Sequence, residues 1–128
     1  MDYLSVFSIF IGGGVGAISR YFVTILCRNL FSLSILGTFS VNLIGCFLIG
    51  YVFGILLNKS DLISQTLKLF ITVGFLGGLT TFSTFNLEIF ELMKSGKIVL
   101  GFLYMVGSCL IGLLLTFLGY YLTQKTIV

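Results

Sequence analysis

The feature that most constrains this chain is a series of four long apolar stretches separated only by short polar breaks. A helix crossing a hydrocarbon core of about 30 Å needs about 20 apolar residues, and each stretch supplies that number. The breaks fall at Arg28-Asn29, at Asn58-Lys59-Ser60-Asp61 and at Lys94-Ser95-Gly96-Lys97. Reading between them predicts helices over about 4–26, 35–57, 69–92 and 99–122. Only 9% of the residues are charged, against about 25% in soluble domains. The expected fold is therefore a single all-α integral membrane domain over residues 1–128, with no separate soluble part. Because the connections are short, consecutive helices must run antiparallel. The first residues, Met1 to Tyr21, show neither a basic leader nor a small-residue cleavage site, so they are read as a retained first helix.

Charge excludes some functions and suggests an arrangement. The net charge of +3 is spread thinly, with no basic cluster that could follow a phosphate backbone, so nucleic-acid binding is not expected. The chain has no histidine, and its three cysteines show no ligand spacing. Cys46 and Cys109 read as small packing residues, and a transition-metal site has no support. One membrane side would carry Lys59, Lys68 and Lys125, the other Arg20, Arg28, Lys94 and Lys97, which is three against four. Orientation follows Lys/Arg imbalance, and here there is almost none. The balance predicts insertion in both orientations, with two copies pairing antiparallel about an axis in the membrane plane. A single orientation fixed by one lysine of bias is the alternative.

Sixteen glycines and no proline occur in this short chain. Gly12-Gly16, Gly13-Ala17 and Gly50-Gly54 have the small-xxx-small spacing that lets helices approach closely in lipid. Arg20 shares the face of Gly12 and Gly16. A charge within a span is often functional, but near a helix end it also snorkels to the interface. The run from Gly74 to Phe85, GFLGGLTTFSTF, lies at the centre of the third span. Gly77-Gly78 weakens a helix there, and the hydroxyls of Thr80, Thr81, Ser83 and Thr84 compete for backbone groups. A break at that depth requires protein or a polar cavity to satisfy the freed groups. Its unwound carbonyls would suit a cation, offered by both chains if two breaks meet on a two-fold axis.

Polar residues fall on helical faces at matching depth. Ser34, Thr38, Asn42 and Cys46 are spaced by four on the second span, and Tyr104, Ser108, Gly112 and Thr116 on the fourth. Phe82 and Phe85 share a face of the third span, with Thr84, Glu88 and Glu91 on a polar edge beyond them. At about 1.5 Å per residue, Asn42, Phe85 and Ser108 can meet about 10 Å into the membrane. Amide and hydroxyl donors beside positive ring edges would favour a small anion that accepts hydrogen bonds. Plain inter-helix hydrogen bonding is the alternative, at about 0.6–2 kcal/mol each.

These same residues carry a resemblance. Gly13 to Tyr21 (GGVGAISRY), Gly37 to Gly45 (GTFSVNLIG) and the GFLGGLTTFSTF run resemble the fluoride channel family, Fluc, also called CrcB. The resemblance implies a dual-topology antiparallel homodimer with two pores that exports fluoride passively across the cell membrane. It implies a structural sodium ion held by main-chain oxygens, with Gly77 and Thr80 at the matching positions. Phe82 and Phe85 match the pore phenylalanines, Asn42 the pore asparagine and Arg20 the motif arginine near the vestibule. The expected pore lining is then Asn42, Phe82, Phe85, Thr38, Thr81, Ser83, Tyr104 and Ser108, with Arg20 and Glu88 at the vestibule. Gly112 offers no hydroxyl where the helix-four track would carry one. Two rivals are a small proton-coupled multidrug exporter, which needs a carboxylate best placed in helix one, and a non-transporting assembly subunit. The first span has no carboxylate and Glu88 lies toward an end of the third, while the second rival leaves the mid-membrane cluster unexplained.

Overall fold

The computed structural model describes residues 3–31 and 33–127, and its regular structure is helical throughout. Helix α1 runs over Tyr3–Phe31 and α2 over Ser34–Lys59, followed by a single 3-10 turn at Ser60–Leu62. The third span is segmented. It comprises α3 (Gln65–Leu69), a π-helical stretch (Phe70–Leu76), α4 (Gly77–Leu79) and α5 (Phe82–Lys94). Helix α6 covers Ile98–Ile127. Four spans, Tyr3–Phe31, Ile35–Lys59, Gln65–Lys94 and Ile98–Lys125, are long and apolar enough to cross a membrane. All run past the bounds read from the sequence, because helices continue beyond the apolar core into the interface. The chain is a multi-pass membrane protein.

Each connection has a local cause. Ser64 caps α3, its hydroxyl accepting from the Leu67 N–H at 3.3 Å. At the other end of the span, Gly96 takes φ of 81°. The Gly96 N–H donates to the Met93 carbonyl at 3.1 Å and the Lys97 N–H to the Leu92 carbonyl at 2.9 Å. That pair of bonds is a Schellman closure, which needs a left-handed residue after the helix.

Two close helix pairs organise the bundle. Helix α1 lies on the third span through Gly12 and Gly16, where an added Cβ would strike the backbone of Phe70, Phe75 and Leu79. Gly74 and Gly78 reciprocate against Gly12 and Gly13. Helix α2 lies on α6 in the same way, Gly50 against the Thr116 backbone and Gly119 against the Phe47 carbonyl. Backbone approach of this kind replaces the hydrophobic driving force that lipid removes. Only a small core is enclosed, centred on Val41, Leu76 and Leu79. Large side chains such as Phe10, Val99 and Leu114 face outward, as a lipid-facing surface requires.

Candidate functional site

The break in the third span lies at Thr80 and Thr81, not at the two glycines before them. Thr80 has φ/ψ of −84°/156° and Thr81 of −149°/118°, both extended, while Gly77 and Gly78 stay within α4. The glycines fail to unwind the helix because Gly78 is pressed against Gly13 and Ala17 of α1, where a helical backbone is the shape that packs. The threonines behave as the hydroxyl argument expects. Thr80 Oγ1 donates back to the Leu76 carbonyl at 2.9 Å. Thr81 Oγ1 caps α5, accepting from the Thr84 N–H at 3.3 Å and donating to Thr84 Oγ1 at 3.0 Å.

Freed backbone groups at membrane depth need partners, and Asn42 of α2 supplies them. Its Oδ1 accepts from the Thr81 N–H at 2.8 Å, and its Nδ2 donates to the Thr81 carbonyl at 3.1 Å. One side-chain amide thus stands in for a lost stretch of helical ladder. The break also takes carbonyls away from their helical donors, those of Gly77 and Thr80 among them. In an unbroken helix the Thr81 N–H would reach Gly77 and the Thr84 N–H would reach Thr80. Here those donors go to Asn42 and to Thr81 Oγ1. The Gly77 and Thr80 oxygens are therefore hard, uncharged donors of the type cations take at broken helices. Among the described residues no group of three His, Cys, Asp or Glu could hold a metal ion, so any cation here would rest on main-chain oxygen.

Gly77 and Thr80 line an open groove of about 680 Å³ along α2, the break and α6, together with Asn42, Thr81, Phe82, Phe85 and Ser108. Seven of the residues singled out from the sequence therefore meet at one place. Within it Phe85 is buried and Phe82 is 78% exposed, their ring centroids 6.2 Å apart. Ser108 Oγ is enclosed and has no hydrogen-bond partner among the described residues. An enclosed hydroxyl without a partner is costly, and its proton is uncommitted.

Thr38, Tyr104 and Glu88 form a second cluster beside this groove. Thr38 Oγ1 donates to Glu88 Oε1 at 2.7 Å, and the Tyr104 hydroxyl donates to Glu88 Oε2 at 2.8 Å. Tyr104 meets the Phe85 ring edge-on, centroids 5.0 Å apart at 68°, and so joins the cluster to the groove. The polar edge read on the third span divides here. Thr84 and Glu91 are exposed, while Glu88 is buried and turned inward. Its spacing of three from Phe85 was the available signal, since i, i+3 residues share a face. Ser83 is exposed, 3.4 Å from Thr81 Oγ1. Arg20 is half-buried on α1 and is not part of the groove wall. The Ser34 side chain lies outside the described residues. Thr116 was not singled out as a site residue, yet it lines the groove and donates to the Cys46 carbonyl at 3.0 Å.

Comparison with known proteins places this arrangement in a family. The profile described as "CrcB-like protein, Camphor Resistance (CrcB)" matches residues 7–120. The chain is 41% identical over 120 residues to the "Fluoride-specific ion channel FluC" of Azobacteroides pseudotrichonymphae, covering 93% of this chain and 95% of that one. It is 40% identical over 115 residues to the protein of the same name from Pyrococcus horikoshii, covering 90% and 92%. For that of Phocaeicola vulgatus the figures are 41% over 121 residues, 94% and 98%. A profile match across the whole bundle and relatives of this identity agree, and the chain belongs to the CrcB-like family.

Proposed function

We propose that this chain is a fluoride channel of the cell membrane, which lets the anion leave the cytoplasm passively. The observation that carries the reading is Ser108 Oγ, enclosed without a partner in a groove shared with Phe85 and the Asn42 amide. Small anions that accept hydrogen bonds suit such a place, and fluoride, the smallest halide, accepts them most strongly. The names of the relatives support the same ion. Asn42 and Ser108 would offer protons, and the edges of Phe82 and Phe85 the positive end of the ring quadrupole. Thr38 and Tyr104 each have one hydroxyl proton, already given to Glu88. Their part is to hold the Phe85 ring and to tie α2 and α6 to α5 through Glu88.

The working unit in this reading is an antiparallel homodimer with a pore on either side. The groove holds the broken backbone at Thr80 and Thr81, and irregular backbone at membrane depth is tolerated only where protein or a polar cavity covers it. A second copy, inverted as the even charge balance allows, would cover it and seat the exposed Phe82. The released carbonyls of Gly77 and Thr80 from both copies would then hold a structural sodium ion at the centre, whose positive charge would fix the two breaks against each other. A passive pore is enough to protect a cell. Hydrogen fluoride enters as the neutral acid and dissociates at the higher internal pH, and the trapped anion leaves down its gradient.

The multidrug-exporter alternative needs a carboxylate exposed to the transport path. Among the described residues Glu88 is the buried carboxylate, but both of its oxygens are bonded and it is not part of the groove wall. The test is efflux from liposomes containing the purified protein. Fluoride should leave rapidly and chloride at least a hundredfold more slowly. Equal rates for the two ions would sink the proposal.

A further inference from the structure

Cys46 of α2 and Cys109 of α6 stand 63 positions apart in the chain, and both line the groove. Neither is in a disulfide. The contact between their helices is close at this level. Cys46 Sγ lies 3.1 Å from the point where a Cβ on Gly112 would sit. Cys109 precedes Gly112 by three residues on the same helix, so it occupies the same face, one turn away, with about 5–6 Å between the two Cβ positions. The bond from Thr116 Oγ1 to the Cys46 carbonyl, 3.0 Å, fixes the register of α2 on α6 beside the pair. Gly112 has a further meaning here: any side chain at that position would press on the Cys46 sulfur.

We propose that Cys46 and Cys109 form a two-coordinate site for a thiophilic d10 cation. Sulfur ligands select soft metals, and a d10 ion that accepts linear coordination needs only two protein ligands. Mercuric ion is the probe. On binding, two S–H bonds break and two S–Hg bonds form, the protons pass to solvent, and mercury stays divalent. No oxidant is consumed. Cys27 lies on α1 away from the groove wall, so it can be removed without altering the site. The site does not depend on which ion the protein conducts.

The test uses the full chain in detergent with Cys27→Ala, leaving the pair intact. One equivalent of mercuric chloride should remove both remaining thiols from maleimide titration, release two protons and produce the ultraviolet charge-transfer band of a mercury bis-thiolate. Adding Cys46→Ser or Cys109→Ser should weaken binding about a hundredfold, because the second ligand no longer acts at high effective concentration. The proposal is overturned if one equivalent leaves one thiol reactive, or if either single-thiol protein binds mercury as tightly as the pair. The thiol count needs no substitution at the site, so a folding defect in the serine variants does not affect it.

Discussion

Asn42 is the residue on which most of the geometry turns. Its amide accepts from the Thr81 N–H and donates to the Thr81 carbonyl, so it closes the break and leaves one amide proton for the groove. Ordinary inter-helix hydrogen bonds in membranes contribute about 0.6 kcal/mol, but an unpaired buried group costs about 1–3 kcal/mol. The second magnitude governs here, since Asn42→Leu would strand both Thr81 groups. The expected outcome is a loss of about 2–6 kcal/mol from two such groups, visible as an earlier collapse of the size-exclusion peak on heating in detergent. An unchanged midpoint would mean that the break does not rely on Asn42. Phe85 presents a different case, because it is a buried ring with no polar bond to lose. Phe85→Ile should reduce fluoride efflux at least tenfold while the size-exclusion profile stays that of the native protein. Full efflux from that variant would remove the ring from the pathway.

At the scale of elements, the third span combines opposing local preferences. The π-helical stretch Phe70–Leu76 and α4 are held straight against α1 by backbone contact at Gly12, Gly16, Gly74 and Gly78. Two residues later, where α1 no longer presses on the chain, the threonines prevail and the helix opens. A methyl group at Gly16 would meet the Phe75 carbonyl and the Leu79 N–H of the backbone, neither of which can move like a side-chain tip. Gly16→Ala should therefore cost about 1–3 kcal/mol, the usual range for overpacking. Gly14→Ala is the matched control, with nothing within 4 Å of an added Cβ. Thermal stability in detergent should fall for the first and hold for the second. Equal effects would show that helix propensity, not close approach, sets the cost. The π geometry of Phe70–Leu76 was not legible beforehand, because no residue pattern marks an i→i+5 ladder.

At the scale of the whole molecule, the proposed assembly follows from what one chain leaves open. The groove sets Asn42, Thr80 and Thr81 into an otherwise apolar wall at membrane depth, Phe82 is 78% exposed beside it, and the loop charges divide almost evenly between the two sides. Reporters fused to the C-terminus should therefore be active on both sides of the membrane in one cell population. Adding two or three lysines to a single loop should drive the reporter to one side and reduce fluoride resistance, with restoration when an oppositely biased copy is co-expressed. A reporter confined to one side in the unaltered protein would overturn dual topology.

The number and order of the spans were legible in the sequence because apolar length and loop brevity are properties of the chain alone. The same holds for the glycine faces, since small-residue spacing records which side of a helix can approach another. Asn42, Phe85 and Ser108 could be placed at one depth because helical rise is constant. What folding decided was contact between spans. The position of the break depended on α1 bracing Gly78, the inward turn of Glu88 on Thr38 and Tyr104 lying opposite, and the meeting of Cys46 and Cys109 in one groove on α2 packing beside α6. Each depends on a neighbour distant in sequence. Periodicity along one helix shows which residues share a face, but only the packed bundle shows what that face touches.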